Sequence, residues 1–198
     1  MGIEEIIEEG LYLVQNDQRH DLNIGFRCRL ISSFNEAGSD TDRRQRVKLT
    51  ELEVRKVLPI WESHFATDQT PHRALQLANG LLAGTAVPEK AEKDMGAMWS
   101  HCDDLSWKHP EKQNVVMVGY GAIQVVREAL SKMHLGCDSV NAQSTDRDID
   151  PYDHDSAFCA AIAYSGGAAW EKGSDPKKRH EFWTWWLNDA VPAAMENA

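Results

Sequence analysis

The chain has 198 residues, and its apolar fraction of 42% and charged fraction of 26% are ordinary for one globular domain and exclude wholesale disorder. Its formal net charge of −10 disfavours nucleic acid and anionic membranes as partners, because carboxylates repel phosphate. The same charge either favours a basic protein partner or simply keeps the protein soluble.

The N-terminal part of the chain predicts helices separated by a charged connection. Residues 4–15 and 22–34 have helical patterns, whereas residues 35–48 are rich in charges and turn formers, which is typical of a loop. After Thr50 the apolar side chains recur on one helical face. Pro59 lies inside this pattern, and we expect a kink there because proline removes a backbone hydrogen bond.

The rest of the chain continues the helical pattern. Residues 70–84 begin with a capping threonine and a proline and end at a glycine, and residues 88–107 form a second long helical stretch. Residues 113–132 are apolar nearly all round, which predicts a central helix, although the start of this stretch also suits a short strand. A loop over 136–155 and a closing helix over 180–194 follow. The predicted fold is therefore an all-α, compact single-domain bundle of roughly seven or eight helices.

The sequence also predicts the cellular compartment and the redox state of the cysteines. The N-terminus is acidic where a signal peptide is basic, and no apolar run approaches about 18 residues, so we expect a cytoplasmic protein. The cysteines are widely spaced and contain no C-x-x-C pair, which predicts buried reduced thiols rather than a zinc site or a disulfide scaffold. The four positions are Cys28, Cys102, Cys137 and Cys159.

The histidines leave one catalytic alternative open. His154 and Asp155 form a doublet of the kind found in metal-dependent phosphohydrolases, which need further ligands converging on the metal. His64, His101 and Asp104 are the candidates for those ligands. A metal-dependent hydrolase is therefore the enzyme alternative and a general helical scaffold is the third, but the leading prediction includes no catalytic residue, no metal and no cofactor.

The most distinctive exposed feature is the acidic segment, residues 146–155. Its opening D-x-D-x-D pattern imitates a calcium loop, but Pro151 stands at the position that needs glycine and Ala157 at the position that needs glutamate. The segment instead predicts a negative patch for arginine or lysine of a partner, or a solvated loop whose aspartates cap helices. The candidate partner-binding residues here are Asp146, Asp148, Asp150, Tyr152 and Asp153.

The closing helix adds one further candidate. Its four aromatic side chains cover more than half of the helix circumference, so a single core face cannot bury all of them. Phe182, Trp183 and Trp186 can share one face. Trp185 is then marginal, and it is either packed under a loop or available as a binding anchor.

Two segments carry a resemblance to a known family. The stretch VRKVLPIWESHFATDQTPHRALQLANGLLAG, residues 54–84, has a helix ending in Val-Leu-Pro, an Asp-x-x-Pro turn and a second helix with a glycine stop. The closing EFWTWWLNDAVPAA, residues 181–194, is the second such segment. Both resemble a bacterial immunity-protein family of polymorphic toxin systems, and the match extends from residue 49 to residue 194.

This resemblance implies an all-α, cytoplasmic, non-enzymatic protein that binds a cognate toxin domain and neutralises it by stoichiometric inhibition. Because the chain is acidic, the toxin is expected, by analogy, to be a basic protein such as a nuclease. The resemblance also divides the chain into an N-terminal helical extension, residues 1–48, packed on an immunity-protein-like domain, residues 49–198. The motif residues themselves look structural: Pro59, Asp68, Pro71, Arg73 and Gly84.

Overall fold

The computed structural model describes residues 2–34, 38–131, 137 and 140–196. Within those residues the chain is all-α, as predicted, and contains no strand. None of the helices in this part of the chain is both long enough and apolar enough to span a membrane. In chain order they are α1 (Ile3–Asn16), α2 (Ile24–Ile31), α3 (Asp40–His64), α4 (Thr70–Leu82), α5 (Pro88–Lys108), α6 (Gln113–Leu130), α7 (Ser156–Ser165), α8 (Pro176–Trp185) and α9 (Val191–Glu196).

Helix α6 is the centre of the bundle. It packs against α3, α4, α5 and α7. Side chains on several of its faces are fully buried, among them Val116, Val118, Ala122 and Ile123. The apolar pattern of residues 113–132 thus reflects a helix that other helices surround, which confirms the predicted central helix.

Helix α3 begins earlier than the sequence predicts. Ser39 Oγ accepts a hydrogen bond from the Asp42 backbone N–H at 3.0 Å and so caps the helix at its start. Arg44 pairs with Asp40 at 2.8 Å, one helical turn away, so the charges support a helix. The loop predicted over 40–48 is therefore wrong, and residues 35–37 lie outside the described residues. The predicted domain division after residue 48 falls inside α3.

The closing helices bury three of their four aromatic residues, and these are the three predicted to share one face. Helix α8 continues through a π-helical turn (Trp186–Ala190) into α9. Phe182, Trp183 and Trp186 are fully buried, and the rings of Trp183 and Trp186 meet edge to face at 5.8 Å. These rings anchor α8 against the rest of the bundle, since large aromatic side chains contribute the most buried apolar area.

Two of the four cysteines depart from the prediction of reduced thiols. Cys28, in α2, forms a disulfide with Cys137, which lies 109 positions further along the chain. Cysteine spacing alone gives no signal for a pair so far apart. Cys102 and Cys159 are buried free thiols, as predicted. Burial raises the pKa of the Cys102 thiol to about 12, which keeps it protonated and supports a structural role.

Candidate partner-binding surface

Both ends of the acidic segment are fastened to one buried guanidinium group, that of Arg27 in α2. Arg27 Nη2 donates to Asp146 Oδ1 at 2.5 Å, and Arg27 Nε donates to Asp155 Oδ2 at 2.8 Å. Burial lowers the pKa of Arg27, but the two carboxylates outweigh it and raise that pKa above its ordinary value. Asp155 also caps α7 by accepting from the Phe158 backbone N–H. The segment therefore leaves and rejoins the bundle at fixed points.

This arrangement removes Asp146 from the surface that the sequence predicts. Its exposed fraction is 2%, and both of its carboxylate oxygens lie against Arg27. An isolated buried carboxylate is costly, and this one is stable in the core because a charged partner neutralises it. Asp146 thus positions the acidic segment and is not exposed to a partner protein.

The middle of the acidic segment is exposed. Asp148 accepts hydrogen bonds from the backbone N–H and the hydroxyl of Thr145, at 2.8 and 2.9 Å, which lower its pKa below the usual range. Asp150 accepts from the Tyr152 backbone N–H at 2.9 Å. Asp153 pairs with Arg127 of α6 at 2.8 Å. The side chains of Asp148, Asp150, Tyr152 and Asp153 are all exposed to solvent.

Beside the acidic segment lies the aromatic groove, a cleft of about 530 Å³. Its lining comes from helices α5, α6 and α7, from the acidic segment and from residues 168–171, which follow α7. The rings of Trp99 and Tyr120 have centroids 5.2 Å apart, and those of Trp99 and Tyr152 are 5.4 Å apart. Phe158 and Trp170 stack at 5.8 Å further along the groove. These five aromatic residues define it.

Two carboxylates line the aromatic groove, and Arg147 lies beside it with its guanidinium carbon 5.0 Å from the centre of the Trp170 ring. Asp103 accepts a hydrogen bond from the Tyr120 hydroxyl at 2.6 Å. Burial and this bond to a carboxylate raise the pKa of Tyr120, so the phenol stays protonated and keeps donating. Glu171 lies in the lining as well, whereas neither lysine nor arginine does among the described residues. The groove therefore combines aromatic faces with negative charge.

Trp185, the remaining predicted partner-binding residue, lies elsewhere on the described surface. It is half-buried on α8, with its ring 5.6 Å from that of Phe182. The ammonium group of Lys56, in α3, lies 4.8 Å from the centre of the Trp185 ring. Cation–π packing of this kind accounts for a tryptophan left at the margin of the core.

The residues predicted for a metal-dependent hydrolase are not brought together. Their hydrogen bonds take them to separate neighbours. His101 pairs with Asp68 at 2.5 Å, and His154 lies 2.9 Å from the Asp146 carbonyl oxygen. Within the described ranges no group of three or more His, Cys, Asp or Glu side chains has the arrangement of a metal site. The remaining contacts are those of His64 with the Ile60 carbonyl, Asp104 with Lys108, and Asp155 with Arg27.

Sequence reasoning missed the residues that shape this surface. Arg27 stands among apolar residues of α2, and an arginine in such a stretch is a signal for a buried ion pair, but the sequence neither separates it from Arg29 in the same helix nor identifies the carboxylates. Trp99 and Asp103 are four positions apart on α5, which places them on one helix face. That spacing can be recognised in the sequence, but the groove that these two residues line cannot.

The family comparison covers nearly the whole chain. The model of the family described as "Immunity protein Imm5" matches residues 7–193. The match includes α2 with Arg27, the acidic segment and the closing helices, so it is wider than the resemblance seen in the two distinctive segments. No curated protein matches the chain. With a match over this length, the chain belongs to the Imm5 family of immunity proteins.

Proposed function

We propose that this protein binds a cognate bacterial toxin of a polymorphic toxin system and neutralises it by stoichiometric inhibition, without catalysis of its own. Family membership supports a role in toxin immunity. The net charge of −10 supports a basic toxin domain, such as a nuclease, as the partner.

The observation that carries the proposal is the exposed middle of the acidic segment. Asp148 and Asp150 present their carboxylates to solvent on a loop that Arg27 fastens at both ends. A loop held in place before binding loses little conformational entropy when a partner docks, so its charges contribute more to affinity. Opposite charges also accelerate the encounter of the two proteins.

The cytoplasm remains the predicted place of action. The Cys28–Cys137 bond bears on this prediction, because disulfides persist mainly in oxidising compartments and are rare in the cytosol. Trapping free thiols with an alkylating reagent in intact producing cells distinguishes the two locations. Reduced Cys28 and Cys137 in these cells would support the cytoplasm, and an intact bond would contradict it.

The test of immunity is co-expression with the product of the gene immediately upstream. We expect the two proteins to purify as a stoichiometric complex and the chain to restore growth of cells that express that product. Neither a complex nor restored growth would overturn the proposed function.

The role of the acidic segment is tested by removing charge without removing hydrogen-bond acceptors. In Asp148→Asn with Asp150→Asn, the amide oxygens can still accept from Thr145 and Tyr152. We expect a slower association rate that depends less on salt. The matched control is Glu4→Gln with Glu8→Gln, two exposed carboxylates on α1. Equal association rates for the two double variants would exclude the acidic segment from the interface.

A further inference from the structure

Helix α5 carries an exposed tryptophan next to the aromatic groove. Trp107 has an exposed fraction of 89%, the largest among the exposed large apolar side chains of the described residues. Water does not favour so large an apolar surface, and tryptophan is the residue type most enriched among the anchors of protein interfaces. The intramolecular packing of the bundle does not explain this side chain.

The spacing along α5 joins Trp107 to the aromatic groove. Trp99, Asp103 and Trp107 follow one another at intervals of four, so they form a single stripe along one side of the helix. Trp99 and Asp103 line the groove, and Trp107 extends the same stripe one helical turn beyond it. The stripe and the groove thus form one continuous surface of aromatic rings around a carboxylate.

The chemistry of this surface selects its occupant. Aromatic faces attract a cation that lies over them, and most strongly when it is removed from water. Asp103 adds a negative charge among the rings, and its position is fixed by the hydroxyl of Tyr120. A neutral apolar segment would cover this carboxylate and leave the Tyr120 hydroxyl, which is neutral, as its partner, and a covered charge without an opposite charge is unfavourable. An arginine or lysine side chain flanked by apolar residues suits both the aromatic rings and the carboxylate of Asp103.

We propose that the aromatic groove and Trp107 are the docking site for a segment of the cognate toxin that carries a basic side chain between apolar neighbours. The basic side chain enters the groove over Trp99 and Tyr152 and pairs with Asp103, and an apolar neighbour packs on Trp107. This inference rests on the proposed function and identifies the toxin feature that the protein recognises.

The test uses two variants whose residues lie outside the acidic segment. With the purified upstream-gene product as the probe, Trp107→Ala is expected to raise the dissociation constant at least about 30-fold, as for an interface anchor. Asp103→Asn keeps the acceptor for Tyr120 but removes the charge. It is expected to weaken binding about tenfold and to reduce its salt dependence. Isothermal titration calorimetry at low and high salt measures both effects.

Two matched controls separate docking from general damage. Tyr12→Ala removes another exposed aromatic side chain, on α1. Asp104→Asn removes the charge of the residue next to Asp103 on α5, and Asp104 is paired with Lys108. Both controls are expected to bind as the wild type does. Circular dichroism of all four variants verifies that the helices are intact.

Each outcome decides between the two claims. If the wild type binds and protects while Trp107→Ala and Asp103→Asn bind equally well, the docking site is wrong and the proposed function stands. If the wild type itself does not bind, both fail. If the wild type forms a dimer that Trp107→Ala dissociates, a second copy of the chain occupies the surface, which overturns the assignment to the toxin.

Discussion

Glu53, a residue of α3, is a carboxyl group that the fold buries in the core. Its exposed fraction is 1%, and Trp186 Nε1 donates a hydrogen bond to its Oε1 at 2.6 Å. Burial raises the pKa of Glu53 to about 8, and the bond from Trp186 offsets only part of this effect. At neutral pH the carboxyl group is therefore protonated in the folded protein and ionised in the unfolded chain.

This difference predicts a pH dependence of stability. Between the unfolded pKa of 4.5 and the folded pKa of about 8, the folded state holds a proton that the unfolded state has lost, so stability falls as the pH rises through this range. Glu53→Gln keeps an oxygen for Trp186 and removes the titration. In urea unfolding, we expect the variant to gain stability relative to the wild type by up to about 1.4 kcal/mol per pH unit.

The control for this experiment is Glu4→Gln, because Glu4 is exposed on α1. Its pH dependence should follow that of the wild type. A constant difference between Glu53→Gln and the wild type from about pH 5 to about pH 8 would show that Glu53 does not titrate as expected.

At the scale of the elements, helix α6 has no room for a side chain at Gly119. A Cβ atom added there would lie 2.6 Å from Cys102 Sγ of α5 and 3.0 Å from the Trp61 ring of α3. Contacts this short force the core to shift. The absence of a side chain at Gly119 is therefore what allows three helices to meet at this level of the bundle.

We expect Gly119→Ala to lower the free energy of unfolding by about 1–3 kcal/mol, because overpacking outweighs the better helix propensity of alanine. The matched control is Gly96→Ala on α5, where an added Cβ meets nothing within 4 Å. That change should stabilise the protein by about 0.5–1 kcal/mol, since it relieves the entropic cost of glycine in a helix. Urea unfolding compares the two.

A second change locates the cause of the destabilisation. Cys102→Ala removes the sulfur atom nearest to position 119. Combined with Gly119→Ala, the change Cys102→Ala should lower the free energy of unfolding by less than it does in the wild type, because the two changes compensate in volume. Additive costs would mean that the clash with Cys102 is not the reason.

Some helices of the fold can be predicted from the sequence, and others cannot. Helices α4, α5 and α6 have regular apolar periods and clear start or stop residues, so their predicted bounds are close to the observed ones. The sequence predicts a loop for the first turns of α3 because their charged composition resembles that of a connection. In the structure these charges pair at helical spacing, as Asp40 does with Arg44. Charge pairing at helical spacing was the overlooked signal.

The candidate surface was less predictable than the helices, because it depends on contacts between distant parts of the chain. The exposed positions of Asp148, Asp150 and Tyr152 follow from a polar, turn-rich sequence. The burial of Asp146 does not, since it requires Arg27 from a helix 119 positions away. The aromatic groove likewise appears only when α5, α6 and α7 are packed together.

At the scale of the whole molecule, the Cys28–Cys137 bond links the beginning and the later part of the chain across 109 positions. It joins α2, the helix that carries Arg27, to the region that leads into the acidic segment. A covalent link of this span restricts the unfolded chain strongly, and a loop of about 100 residues corresponds to about 4.7 kcal/mol in the chain-entropy description. The bond and the Arg27 ion pairs hold the same two regions together.

We therefore expect reduction to destabilise the protein by about 2–5 kcal/mol, measured by urea unfolding with and without dithiothreitol. The double variant Cys28→Ser with Cys137→Ser should match the reduced wild type and should not respond to the reductant.

Cys102 and Cys159 are buried free thiols, so the unfolded, unreduced wild type should expose only these two of its four cysteines to a thiol reagent. Four reactive thiols, or equal stability with and without reductant, would contradict the bond. Because the Arg27 pairs need no disulfide, the reduced protein should still hold the acidic segment in place and bind its partner.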